Sequence, residues 1–86
     1  MSVHLEIGKQ VNKQLQAKDR FLELDRKREE AIEVTLEQAK RTNEFSTKEI
    51  NEYTEEINQL SKQFSFIPSR KKVTKAMVLE YLQKQN

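Results

Sequence analysis

Apolar residues recur at helical spacing along three stretches of the chain. In the first, Val3, Ile7, Val11, Leu15 and Leu22 fall along one face, with Phe21 and Leu24 flanking it. After a run of charge the spacing resumes with Ala31, Ile32, Leu36 and Ala39. The interruption, Asp25-Arg26-Lys27-Arg28-Glu29-Glu30, contains no Gly, Pro, Ser or Asn. Arg, Lys and Glu are good helix formers, so the run carries the helix on rather than ending it. One continuous helix is predicted over residues 3–42, about 60 Å long at the standard rise. Ser2 is its candidate N-cap. Glu23 with Lys27, Arg26 with Glu30 and Glu37 with Arg41 stand at i,i+4, where opposite charges support a helix.

Thr42-Asn43-Glu44-Phe45 reads as a turn, and Ser46 followed three residues later by Glu49 reads as a capping box. A second helix is predicted over 47–64, with Ile50, Tyr53, Ile57, Leu60 and Phe64 spaced as an unbroken heptad seam. Its glutamates, at 49, 52, 55 and 56, are left for the outer faces. Pro68 ends this element, because it disfavours helix at Ile67 and supplies no amide donor. Phe66 and Ile67 are expected to act as a plug. Thr74 is a good N-cap for a short third helix over 75–83, which carries Ala76, Met77, Val78, Leu79, Tyr81 and Leu82 around most of its circumference. A helix apolar on so many sides is expected to be buried on more than one.

Short connections favour antiparallel neighbours. The expected fold is therefore all-α: a long N-terminal helix, a second helix folded back against it, and a short C-terminal helix, forming a helical hairpin or three-helix bundle in a single domain, 1–86. The second helix spans only about 27 Å, enough to cover Leu24 to Arg41. The third is then expected to cover the N-terminal half, at Val3, Ile7, Val11 and Leu15. The expected core is Ile7, Val11, Leu15, Leu22, Ile32, Leu36, Ile50, Tyr53, Ile57, Leu60, Phe64, Met77, Val78 and Leu82.

Composition sharpens this picture. Of 86 residues, 35% are hydrophobic and 35% charged, with one Gly, one Pro and no Cys. So little apolar mass suits thin helices that gain core by association, whereas turn-rich β folds need more Gly and Pro. Without Cys there is no disulfide framework and no thiolate site. The start, MSVHLEIG, lacks the basic and apolar regions of a signal peptide. The longest apolar run, Ala76 to Leu79, is far short of a membrane span. A cytoplasmic protein with no membrane contact is expected.

Formal charge is +1 over residues 1–42, −3 over 43–68 and +4 over 69–86. The basic tail includes Arg70, Lys71, Lys72 and Lys75, close to a helix N-terminus, where positive charge opposes the helix dipole. An acidic second helix could neutralise them; so could an external phosphate or an acidic protein.

Catalytic chemistry finds no support. His4 is the single histidine, and metal sites in helical bundles need several or a Glu-x-x-His spacing. Glu29, Glu33 and Glu37 line one helical face, but among Arg26, Arg28, Lys40 and Arg41 they read as solvated. No Gly-rich phosphate loop or nucleophile–base–acid set can be assembled. The chain is expected not to be an enzyme, with no cofactor, no metal and no small-molecule substrate.

The favoured functional expectation is a non-catalytic helical interaction module that self-associates, as a homodimer, or docks on a helical or acidic protein partner. Phe66, Met77, Leu79 and Tyr81 are its candidate interface. The alternative is a nucleic-acid or anion binder through Arg70, Lys71, Lys72 and Lys75. A nucleic-acid role is disfavoured because the third helix has few polar residues to read bases.

The stretch FSTKEINEYTEEINQLSKQFSFIPSRKKVTKAMVLEYL, with the opening SVHLEI, resembles a family of small uncharacterised proteins from Bacillus-type bacteria. The resemblance implies a bacterial cytosolic setting. It carries over no functional residues.

Overall fold

A computed structural model describes residues 2–85, with side chains described over 12–84. It contains three helices: α1 (Ser2–Arg41), α2 (Lys48–Gln63) and α3 (Lys75–Gln85). Helix α1 runs unbroken through the charged segment. The three expected i,i+4 pairs form, at 3.1 Å for Glu23–Lys27, 2.7 Å for Arg26–Glu30 and 3.8 Å for Glu37–Arg41. The molecule measures 61 × 20 × 16 Å, so α1 sets its length. Its radius of gyration is 17.3 Å, against about 12 Å for a compact domain of this size.

Helix α2 folds back antiparallel to α1. Ser46 lies beside Thr35, Thr54 beside Arg28, and Glu56 beside Arg20. The turn is tied by Thr42, whose hydroxyl donates to the Glu44 carbonyl and accepts from the Glu44 amide. The expected capping box is not formed. Thr47 occupies the N-cap position without a side-chain cap, and the Ser46 hydroxyl accepts instead from the Lys48 amide, two residues on. A serine hydroxyl can close this shorter loop as readily as it caps a helix, and here the turn wins. At the other end, Phe64 adopts extended geometry, and its amide still bonds to the Leu60 carbonyl.

The α2 seam packs as its spacing predicts: Ile50 and Ile57 are fully buried, and Tyr53, Leu60 and Phe64 are half-buried. The α1 face that receives it is not the expected one. Ala17, Leu24, Arg28, Ala31 and Thr35, again at heptad spacing, form the buried stripe. Leu24 is 2% exposed, whereas Leu15 and Leu22 are 55% and 53% exposed. Small side chains at 17, 31 and 35 let the α2 backbone approach closely and let Ile50 and Ile57 fill the gap. The larger leucines lie on a neighbouring face. Ile7, Val11, Ser2 and His4 lie outside the described side chains.

Residues 64–67 form a turn, closed by the Ile67 amide on the Phe64 carbonyl, and residues 68–74 form an extended strap rather than a short corner. The strap runs back along α1 in α1's own direction: Arg70 meets Asp25, and the Lys71 carbonyl meets Arg28. This carries α3 to the α1 stretch Glu29–Leu36, where Val73, Met77, Val78 and Tyr81 line a shared groove. The expectation that α3 covers the N-terminal half of α1 is therefore overturned: a turn at 64–67 and a return along residues 68–74 at strand-like rise place it at the opposite end. Of the expected plug, Ile67 is buried, while Phe66 is exposed against Phe64, with ring centroids 5.7 Å apart. Thr74 caps α3 as its sequence indicates, accepting from the Met77 amide at 3.2 Å.

Helix α3 buries Val78 and half-buries Leu82. Met77, expected in the core, is exposed, as are Leu79 and Tyr81. One thin neighbour can cover only one side of a helix that is apolar on several.

Candidate interaction site

Two asparagines of α2 hold the strap. The Asn58 side-chain amide donates to the Arg70 carbonyl at 2.9 Å and accepts from the Arg70 amide at 2.7 Å. Asn51 treats Val73 the same way, at 2.9 and 2.8 Å. Each side chain thus pairs with the strap backbone as a neighbouring strand would. The spacing explains why two such clamps fit. Seven helical residues rise about 10.5 Å, and three extended residues rise about 10 Å. A one-heptad repeat on α2 therefore matches residues 70 and 73 of an antiparallel strap.

Arg28 closes the third side. It is buried, its Nε donates to the Thr54 hydroxyl at 2.8 Å, and its Nη2 donates to the Lys71 carbonyl at 3.0 Å. The Thr54 hydroxyl in turn donates a hydrogen bond to the Ile50 carbonyl at 2.9 Å. The cation thus sits among neutral acceptors, with no described carboxylate against it. A hydrogen-bonded guanidinium joins helix, helix and strap at one point. Arg28 lies in a charge run that reads as solvated, yet its phase with Leu24 and Ala31 marks it as inward-facing. For Asn51 and Asn58, which the hydrophobic pattern does not single out, the available signal is two modest helix formers repeated at i+7 beside Ile50 and Ile57.

The basic cluster is dispersed by this arrangement. Arg70 pairs with Asp25 at 3.2 Å and stacks its guanidinium over Phe21, 5.4 Å from the ring centroid. Lys75 lies over Phe45 at 5.9 Å. Lys71 and Lys72 are exposed. Among the described residues none of the four pairs with a glutamate of α2; the cross-helix partner of α2 is Arg20, which reaches Glu56 at 3.4 Å. Of the alternatives for the basic tail, Arg70 is met within the chain, by Asp25 of α1 rather than by a glutamate of α2.

Glu29, Glu33 and Glu37 are exposed, as expected for a solvated face. Glu23 has its carboxyl held below the ordinary range, first by its hydrogen bond to Lys27 and then by the positive charges of Lys27, Arg20 and Arg26.

A largely apolar surface joins α1 to α3. Glu29, Ile32, Glu33 and Leu36 form one wall of an open groove, and Val73, Met77, Val78 and Tyr81 form the other, enclosing about 400 Å³. Of the four expected interface residues, Met77 and Tyr81 line this groove; Leu79 and Phe66 are exposed elsewhere. The α1 face continues from the groove toward the N-terminus through Leu22 and Leu15, which sequence reasoning had assigned to the core.

A long helix, a shorter antiparallel one and a strapped third helix, with large apolar side chains left outside, define a small all-α protein with uncovered helical faces. The chain belongs to the family described as protein of unknown function DUF2533, whose model matches residues 1–84. It is 38% identical over 80 residues to the uncharacterized protein YpbS of Bacillus subtilis (strain 168), an alignment covering 93% of each chain. No solved structure matches the chain. The resemblance to uncharacterised proteins of Bacillus-type bacteria is thus confirmed, and the family carries no assigned function.

Proposed function

We propose that this chain is a non-catalytic helical interaction module of the cytoplasm, working through contact with another protein surface. The observation that carries this reading is the exposure of Leu15, Leu22, Met77, Leu79 and Tyr81 on helices that could have buried them. Large apolar side chains left outside in this number on so small a chain mark protein contact sites. The surface area supports the same view. The chain exposes 6890 Å², against about 5,300 Å² for a compact monomer of its mass.

Binding of phosphate or nucleic acid through Arg70, Lys71, Lys72 and Lys75 has less support, since Arg70 is engaged with Asp25 and Lys75 with Phe45. Salt separates the two readings, because phosphate contacts weaken steeply with ionic strength and apolar seams do not. The test is light scattering of the full chain across salt, together with capture of partners from native cytosol by the chain and by its Leu15→Lys and Tyr81→Lys forms. Salt-resistant association or a partner lost on these substitutions is expected. A monomer whose captured proteins are indifferent to both substitutions would overturn the reading.

A further inference from the structure

Helix α1 carries a second heptad seam that the monomer covers only in part: the strap meets it at Asp25 and α3 meets it at Ile32 and Leu36, while its N-terminal half is open. From Leu15 the positions Lys18, Leu22, Asp25, Glu29, Ile32 and Leu36 follow at alternating spacings of three and four. Leu15, Lys18, Leu22 and Glu29 are exposed, and Ile32 and Leu36 are half-buried at the groove floor. Such a spacing on a straight helix is the pattern of a helix–helix seam.

We propose that the occupant of this seam is a second copy of the chain, with the two α1 helices antiparallel about a two-fold axis between Glu23 and Leu24. This rests on the reading above and names its partner. The register is what singles out self-association. Reversing the seam against itself about that point sets Leu15 opposite Ile32, Lys18 opposite Glu29, and Leu22 opposite Asp25. Leu15 with Ile32 is an apolar pair and Lys18 with Glu29 an opposite-charge pair, and each pairing occurs twice by symmetry.

Charge agrees with the register. Lys18 and Glu29 have no ion-pair partner among the described residues, so the monomer leaves one cation and one carboxylate at positions that face each other in the pair. Asp25 is already neutralised by Arg70, so Leu22 meets an ion pair rather than a bare carboxylate. Residues 29–39 contain four glutamates and no cation, whereas residues 7–18 contain three lysines and no acid. The antiparallel pairing lays each stretch beside the other. Leu15 of each copy then enters the partner's groove between Ile32, Leu36, Met77 and Tyr81. The size is sufficient, since the surface each chain exposes in excess of a compact monomer is larger than the roughly 800 Å² that each partner buries in a standard interface.

The test is the mass of the full chain by sedimentation equilibrium at low micromolar concentration, for the parent and for Lys18→Glu, Glu29→Lys and both together. Both positions are exposed, and circular dichroism verifies that each variant keeps its helices. A dimer is expected whose dissociation constant rises about tenfold or more in either single variant, where like charges face each other, and returns toward the parent in the double variant. As a second readout, Leu15→Cys mixed with Ile32→Cys is expected to form a heterodimeric disulfide, in a protein that otherwise has no cysteine. A parent chain that stays monomeric overturns the proposal while leaving docking on a different protein intact. A dimer indifferent to Lys18, Glu29 and Leu15→Lys but broken by Leu79→Lys also overturns it, moving self-association to α3.

Discussion

The two seams of α1 differ in a way that hydrophobicity alone would rank backwards. One is built of Ala17, Leu24, Arg28, Ala31 and Thr35 and is buried; the other carries Leu15, Leu22, Ile32 and Leu36 and is half or fully open. Alanine and threonine give up little apolar area of their own, but they bring two backbones close and give the isoleucines of α2 a place to go. Packing of one helix on another rewards complementarity of ridge and groove, not the size of one partner. The larger side chains are then free for a different neighbour.

The sharpest way to break this comparison is to hollow out the α2 contact. Ile57→Ala and Leu24→Ala each remove a fully buried side chain and are expected to cost about 2–5 kcal/mol in urea unfolding. Leu22→Ala on the other seam, measured where the chain is monomeric, is expected to stay within about 0.5 kcal/mol. Equal effects at 22 and 24 would erase the distinction between the faces. Overfilling tests the small residues directly: Ala31→Leu makes the helix more apolar, yet is expected to destabilise by about 1–3 kcal/mol, because α2 has no room to yield.

The strap gives an intermediate effect. Asn58→Ala leaves the Arg70 amide and carbonyl without their partners, and Asn51→Ala does so for Val73. Each is expected to cost about 1–3 kcal/mol, with faster hydrogen exchange at that one strap amide and unchanged exchange along α2. Exchange rising across the whole chain instead would mean that the strap is not locally held.

The smallest expected effect lies on the exposed flank between the seams. The Glu23 carboxyl is depressed by Lys27 and by Arg20 and Arg26, so it favours the folded state when ionised. That contribution is present above the ordinary carboxylate range and is lost as pH falls through the depressed value. The acid limb of a stability profile should therefore shift slightly in Glu23→Gln, with no change at neutral pH in midpoint slope. Solvent exposure keeps the effect small.

By itself the sequence determined the elements. A continuous α1 follows from good helix formers across residues 25–30, α2 from its unbroken 3-4 spacing, and the start of α3 from Thr74, because these depend on neighbours within one or two turns. It also carried the α2 seam and the three i,i+4 ion pairs. Tertiary structure alone decided which α1 face α2 chose, since Leu22 and Leu24 are equally apolar and differ only in what stands opposite. It decided the course of the strap as well, because the match of a seven-residue helical repeat to three extended residues exists only once Asn51 and Asn58 lie beside residues 70 and 73. The position of α3, the burial of Arg28 and the exposure of Leu15 all follow from that strap. Contacts between residues 12 to 45 positions apart have no local signature, and their free energy depends on shape that forms only when the chain is folded.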